Sequence, residues 1–419
     1  MKKNLFFVMA FIAIVTFLVS CESRTVGPDE PGSTDTIPTD SLGTDTISNR
    51  MITFEDFDYC VGGQFYKVSD NGKYVVGASG KSFAAYVYLV EKDSIFCLNP
   101  EWEDASPYAY LVSATAIDVS DAGIVVGQYA FDDTYRRPAI YNINAGVWSE
   151  LPLPEGTKGS ITDVGSLYGE ATSISADGKF ISGYIISYMD NGSRRNVVCV
   201  WKRTNDDELN PTYKLQLPID TEAAKIHCNG DWSWHMSNDG RWLGGITSAN
   251  SGGFNVGIWE NKGEGSLLER TLLIGKEDWI RTEDDNEDGI IDDNDGGDTT
   301  IVQYDWNGYV SCISPSGEWI VGYHNYNGIG IIPDDEAETG VKSYSNVGFR
   351  YNTKTKELED SLQTLPTVVF DDGSMIYSDG ATSMVNGASI DNKVQCGTYV
   401  VEVENLGIIN LPFIKIADK

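Results

Sequence analysis

The sequence predicts an all-β chain folded as a six-bladed β-propeller, and three observations predict it. A phrase opening on Ser and closing on Gly recurs along the chain, each copy has the pattern of a hairpin, and further short apolar runs follow at blade-like spacing. The first copy is Ser69-Asp70-Asn71-Gly72-Lys73-Tyr74-Val75-Val76-Gly77. It returns as Ser120 to Gly127, Ser175 to Gly183, Ser237 to Gly245 and Ser314 to Gly322, and in altered form as Ser389 to Gly397. In that last copy Asn392 replaces the turn glycine, and Asn is the residue that best tolerates positive φ after Gly. The closing glycines lie 50, 56, 62, 77 and 75 residues apart, close to the period of propeller blades.

Within each copy, a strand ends at Ser, a tight Asp/Asn-Gly turn follows, and a second strand is rich in β-branched and aromatic residues. A third strand is predicted at Ala85 to Tyr88, Pro138 to Tyr141, Val198 to Trp201, Val256 to Trp259 and Val347 to Tyr351. Leu-Pro elements at Leu151, Leu217, Leu365 and Leu411 close the units. One four-stranded sheet cannot bury both of its faces, so the repeats must stack around an axis, and six units fill residues 51–419. Seven blades is the alternative, because the sixth repeat is irregular and Val368 to Tyr377 suits another hairpin. No sustained helical periodicity follows residue 20.

The pattern Ala-Thr-Ala-Ile-x-x-Ser-x-x-Gly-x-Val-Val-Gly, clearest at Ala114 to Gly127 and Ala171 to Gly183, resembles the HAF group of extracellular repeats. The group's His-Ala-Phe strand is replaced here by Pro-Ala-Ile or Val-Gly-Ile. The resemblance implies an extracytoplasmic propeller and brings no catalytic residues with it.

The N-terminus predicts where the chain resides. Lys2 and Lys3 precede an apolar run from Leu5 to Val19, which ends Leu18-Val19-Ser20-Cys21 and is similar to a bacterial lipobox. Residues 1–20 then form a signal peptide, and Cys21 becomes the acylated first residue. The run is shorter than the roughly 20 residues needed to span a bilayer as a helix. Several acyl chains would anchor firmly, since one alone binds reversibly. Glu22 rather than Asp follows Cys21, so the expected destination is the outer membrane, with exposure at the cell surface open.

Residues 21–50 are rich in Pro, Gly, Ser, Thr and Asp and contain no aromatic residue. Such a segment buries too little apolar area to offset its chain entropy and is expected to be a tether reaching roughly 30 Å. The net charge of −32 sets the surface against nucleic acid and anionic lipid. The expected partners are therefore the membrane through the N-terminal lipid, and a glycan or envelope protein.

A calcium loop is predicted within 280–300, where Asp284-Asp285-Asn286-Glu287-Asp288-Gly289-Ile290-Ile291-Asp292-Asp293-Asn294-Asp295 resembles an EF-hand loop. Ca²⁺ needs six to eight oxygens, and Gly at the sixth position permits the sharp turn. Asp284, Asn286, Asp288 and Asp295 would offer side-chain oxygens, Ile290 its carbonyl, and Asp292 would bind directly or through water. Asp at the twelfth position is dockerin-like, and Gly296-Gly297 cannot begin an exiting helix. A structural Ca²⁺ is the expected cofactor.

The six cysteines after Cys21 show no metal spacing, and Cys199 and Cys396 sit in apolar strands as small buried hydrophobes. A Cys60–Cys396 bridge is an alternative that would close the ring. Catalysis finds little support, because His227, His235 and His324 are scattered and no nucleophile elbow or phosphate loop is present. The ligand candidates are Asp231, Trp232, Trp234 and His235, predicted to enter the innermost strand near the axis, where Trp faces suit sugars. The same Trp residues equally suit packing between blades. Tyr323, His324 and Tyr326 form a second cluster. The expected function is a non-enzymatic binding or scaffold propeller, with a polysaccharide hydrolase or lyase as the alternative.

Overall fold

A computed structural model of the protein describes residues 49–52, 64–78, 85–98, 114–131, 135–154, 160–162, 165–188, 194–216, 232–248, 254–263, 268–272, 305–327, 347–362, 364–378, 383–403 and 407–417. These residues are strands and turns. The first strand, β1 (Asn49–Ile52), belongs to the last blade, as shown below. Four antiparallel strands then form the first blade: β2 (Gln64–Val68), β3 (Tyr74–Ala78), β4 (Ala85–Leu89) and β5 (Ser94–Cys97). The second blade has β6 (Ala114–Val119), β7 (Ile124–Ala130), β8 (Tyr135–Asn142) and β9 (Val147–Glu150). A small hairpin, β10 (Ser160–Thr162) and β11 (Gly165–Leu167), joins this blade by parallel pairing of β11 with β8.

The third blade is β12 (Gly169–Ile174), β13 (Phe180–Tyr188), β14 (Arg194–Arg203) and β15 (Tyr213–Gln216). The fourth is β16 (Trp232–Met236), β17 (Trp242–Ser248), β18 (Phe254–Asn261) and β19 (Leu268–Leu272). The fifth is β20 (Asp305–Ile313), β21 (Trp319–Asn327), β22 (Val347–Asn352) and β23 (Leu358–Leu362). A two-stranded hairpin follows, β24 (Leu365–Val369) and β25 (Met375–Ser378). The sixth four-stranded blade is β26 (Ser383–Ala388), β27 (Val394–Val403) and β28 (Gly407–Ala417), with β1 as its outer strand.

The fold is therefore a six-bladed propeller, and the hairpin suspected at Val368 to Tyr377 stands as an extra half-unit between the fifth and sixth blades. Its turn repeats the blade geometry, with Gly373 at φ 80° and Phe370 where the other phrases have Ser. The ring is closed by β1 against β28, with Asn49 opposite Ala417. Asn49 and Arg50, read above as the end of the tether, already pair in β1.

The core lies between blades rather than within them, because each sheet must bury both faces against its neighbours. Val76, Val87 and Leu98 pack on Ala114, Ala116 and Val125, while Ile124, Val126 and Ile140 pack on Ile181, Cys199 and Trp201. Val200 meets Leu243 and Trp259, and Trp242 and Ile258 meet Val310 and Phe349. Phe65 and Tyr88 close the circle against Val394, Cys396 and Ile414. Burying one such large side chain contributes about 1.5–3 kcal/mol.

The recurring phrase has two physical causes. Its Ser is buried and its hydroxyl accepts the backbone N–H that starts the next strand, as from Phe180 to Ser175 Oγ at 2.9 Å and from Val394 to Ser389 Oγ at 3.0 Å. The turn residue takes positive φ, 71° at Gly72 and 57° at Asn392, so the sequence expectation for Asn392 holds. The closing Gly answers a different need. A side chain at Gly77, Gly127 or Gly183 would place its Cβ 2.0–2.1 Å from the carbonyl oxygen of Gln64, Thr115 or Glu170 on the facing strand.

Candidate functional site

That close approach comes from a bulge repeated in every innermost strand. The register slips between Phe65 and Lys67, Ala116 and Asp118, Ala171 and Ser173, Ser233 and His235, Val310 and Cys312, Pro366 and Val368, and Val385 and Gly387. A bulge re-aims the residue that follows it. Lys67, Asp118, Ser173, His235, Cys312, Val368 and Gly387 accordingly line one axial cavity of about 80 Å³.

Two bonds cross the axis. Lys67 Nζ donates to His235 Nδ1 at 3.1 Å, and Asn238 Nδ2 donates to Asp70 Oδ2 at 2.6 Å. Both join the first blade to the fourth, so the axis is bridged twice. Burial, reinforced by the Lys67 ammonium, holds His235 well below the ordinary imidazole range, and Val310 accepts its other hydrogen bond. Asp118 is buried, which raises its carboxyl, while Lys67 and three donors oppose the rise: Ser173 Oγ at 2.8 Å, Ile174 N at 3.1 Å and Val119 N at 2.8 Å. Burial likewise raises Asp70 against its bond from Asn238. The ionisable groups of the axis are thus tied to one another.

The two ends of the ring differ. At one end lie the tight turns, and six hydrogen bonds link successive turns. Asn71 N donates to Asp121 Oδ1, Asp121 N to the Ala176 carbonyl, and Ala176 N to Asn238 Oδ1. Asn238 N donates to the Pro315 carbonyl, Ser316 N to Asp371 Oδ1, and Ile390 N to the Asp70 carbonyl. Antiparallel pairing sends the other connections, between second and third strands and from one blade to the next, to the opposite end.

Near that opposite end, Thr115 pairs with Gln128, Glu170 with Tyr184, Trp232 with Ile246, and Tyr309 with Tyr323, all at one register position. Glu170 Oε1 accepts from Gln128 Nε2 at 2.8 Å and from Thr115 Oγ1 at 3.2 Å, joining the third blade to the second. Burial raises the Glu170 carboxyl, opposed first by the charge of Arg136, whose own guanidinium is pushed down by burial. Burial and the Glu170 charge push the Tyr66 hydroxyl up to about 12. On the neighbouring arc, Trp234 meets Tyr309 edge-on at 6.0 Å, and Tyr309 meets Tyr323 at 3.9 Å.

The sequence-predicted residues fall out as follows. Trp232, Trp234 and His235 lie in the innermost strand itself, Trp234 at the bulge and His235 on the axis. Trp234 packs across a blade boundary, as the packing alternative anticipated. Tyr323 joins that aromatic group and His324 is buried in β21. Asp231, Cys21 and the loop residues Asp284, Asn286, Asp288, Ile290, Asp292 and Asp295 lie outside the described residues, as does the Trp232 side chain. Among the described residues no cluster of three or more His, Cys, Asp or Glu is arranged to hold a metal.

Cys199, Cys312 and Cys396 are free thiols, and burial pushes Cys396 up to about 12. The Cys60–Cys396 alternative is therefore corrected: Cys396 is committed to the apolar packing between the first and last blades, and β1 closes the ring. Sequence reasoning missed Glu170, Arg136 and Gln128. The available signal was a polar Glu where an inner strand otherwise carries small or apolar residues.

No known family model matches the sequence, and no curated protein matches it. The fold is similar to solved structures at low identity. TolB from Acinetobacter baumannii is 11% identical with a TM-score of 0.33, over 84% of this chain and 63% of that one. The chain thus spans less than two thirds of that relative's length. The polysaccharide lyase Uly1 is 10% identical with a TM-score of 0.42, over 85% and 90% of the two chains. The Myceliophteria thermophila Cps50 (Swd1) β-propeller domain is 7% identical with a TM-score of 0.37, over 88% and 98%.

Proposed function

We propose that this protein is a lipid-anchored envelope propeller that binds a glycan or an envelope protein through one end of its ring, without catalysis. The observation that carries the reading is the contrast between the ends. One is a ring of tight turns hydrogen-bonded to each other, whereas the other collects the long connections, which is where binding residues concentrate on rigid scaffolds. The axial cavity, at about 80 Å³, is below the 300–1,000 Å³ typical of small-molecule pockets, which directs binding to the surface. The hydrogen bonds that tie up His235 and Asp118 also speak against acid–base work on the axis. Acylation at Cys21 and a structural Ca²⁺ held by Asp284, Asn286, Asp288, Ile290, Asp292 and Asp295 complete the proposal, both resting on sequence pattern.

The test is isothermal titration of the mature chain against a polysaccharide panel and solubilised envelope extract, with calcium present and then chelated, followed by product analysis. Binding without turnover supports the reading, and silence toward both classes overturns it. Glu170 favours a second reading as a hydrolase or lyase, since a half-buried carboxyl with a raised pKa is what a general acid requires. New reducing ends or unsaturated products, abolished by Glu170→Gln, would establish that reading instead.

A further inference from the structure

We propose that the axial cavity holds a small cluster of bound water that links the Lys67 ammonium to the carboxylates of Asp118 and Asp70. The proposal concerns the axis alone and stands whatever ligand the ring binds. The room is present: about 80 Å³ is more than twice the roughly 30 Å³ that one molecule takes up in liquid water, which is space for two or three. Lys67, Asp70 and Asp118 all line it. Lys67 and Asp70 are half-buried, so part of each stays within reach of a molecule the size of water.

The hydrogen bonds around the cavity are incomplete in a matching way. An ammonium has three N–H donors, and among the described residues Lys67 Nζ spends one, on His235 Nδ1 at 3.1 Å. Among those residues it makes no ion pair, yet its charge is felt by both acids, opposing the rise that burial imposes on each. Charges that act on one another across a polar cavity without touching are joined by water. Asp70 Oδ2 accepts from Asn238, while Oδ1 has no partner among the described residues. Asp118 Oδ1 accepts only the Val119 N–H. Asn386, also on the cavity wall, gives an amide N–H to the Phe65 carbonyl at 2.8 Å and leaves its oxygen as a further acceptor.

Donors on one side and acceptors on the other select the occupant. Water accepts from Lys67 and donates to Asp70, Asp118 and Asn386 at once. A metal cation would face the Lys67 ammonium, and an anion would face two carboxylates. An apolar molecule would leave all four groups unsatisfied, which is costly for polar groups away from bulk solvent.

The experiment is a crystal structure of the mature chain at a resolution that places ordered water, with parallel crystals soaked in rubidium chloride or pressurised with xenon. The expected result is water on the axis within about 3.2 Å of Lys67 Nζ and of an Asp70 or Asp118 oxygen, with no anomalous signal from rubidium or xenon there. In Lys67→Met crystals the water beside Nζ should be lost while the Asn238–Asp70 bond stays. Should that variant fail to fold, Lys67→Arg, which keeps the charge and fills more of the space, should displace water from the cavity. A rubidium peak would make the site one for a cation, and a xenon peak would make the cavity dry. Featureless density on the axis would leave Lys67 and the acids unlinked, and water unmoved by either variant would not be held by Lys67. Each of these four outcomes overturns the proposal.

Discussion

The two ends of the ring are made of the same strands and do opposite things. At the tight-turn end every residue type has a local physical reason: a buried Ser hydroxyl, a positive-φ Gly or Asn, and polar turn residues bonded to the next blade. At the other end the inner positions carry Gln64, Thr115, Glu170, Trp232 and Tyr309, a mixed set of residue types at one register position. The contrast teaches that repetition in this chain marks what the ring needs to exist, and departures from repetition mark where its individuality lies.

The sharpest way to break the comparison is to attack a repeated glycine. Gly127→Ala would press a Cβ to 2.0 Å from the Thr115 carbonyl, and because backbone must move, a loss on the order of 3–5 kcal/mol is expected in denaturant melts. If Gly127→Ala melted like the wild type, the bulge would not be the reason for the closing Gly. Next in size is Ser175→Ala, which leaves the buried N–H of Phe180 without its acceptor and should cost about 1–3 kcal/mol with the ring still formed.

A third effect is set by pH. His235 is held neutral in the fold far below 6.5, whereas the unfolded chain takes up a proton near 6.5, so stability is complete above that pH and declines as pH falls below it. The slope is at most about 1.4 kcal/mol per pH unit for the one group. Asp118 and Glu170 act in the opposite sense: raised in the fold, they contribute stability below their unfolded range that is lost as pH rises through their folded values. Melting temperatures from pH 7.5 to 5.5 should therefore show a decline that His235→Gln flattens. The smallest effect belongs to exposed charge. Lys393→Ala, which removes the pair with Asp391 at 2.8 Å, should change stability by less than about 0.5 kcal/mol.

The legible part of the fold was the part with local causes. Six turns could be read because Ser, Gly and Asn392 answer to their own neighbourhood. The extra hairpin was only half legible, since Phe370 replaces Ser and, among the described residues, no third and fourth strands follow Ser378 before β26. His235 was selected as a loop residue, but a one-residue bulge, invisible in composition, turns it to the axis. Glu170 could be singled out as an unusual residue for an inner strand, but its meeting with Gln128 and Arg136 could not be read. The three come from three strands of two blades, and only the curvature of the ring brings them together.

The pairing of β1 with β28 has a consequence for how the protein is made. Asn49 meets Ala417, so the first strand of the ring waits, unpaired, until its partner β28 has been made. Five blades and the hairpin can assemble in passing, but the circle cannot lock early. The arrival of β28 is what closes it, and a product cut short before β28 is left with an open sheet edge.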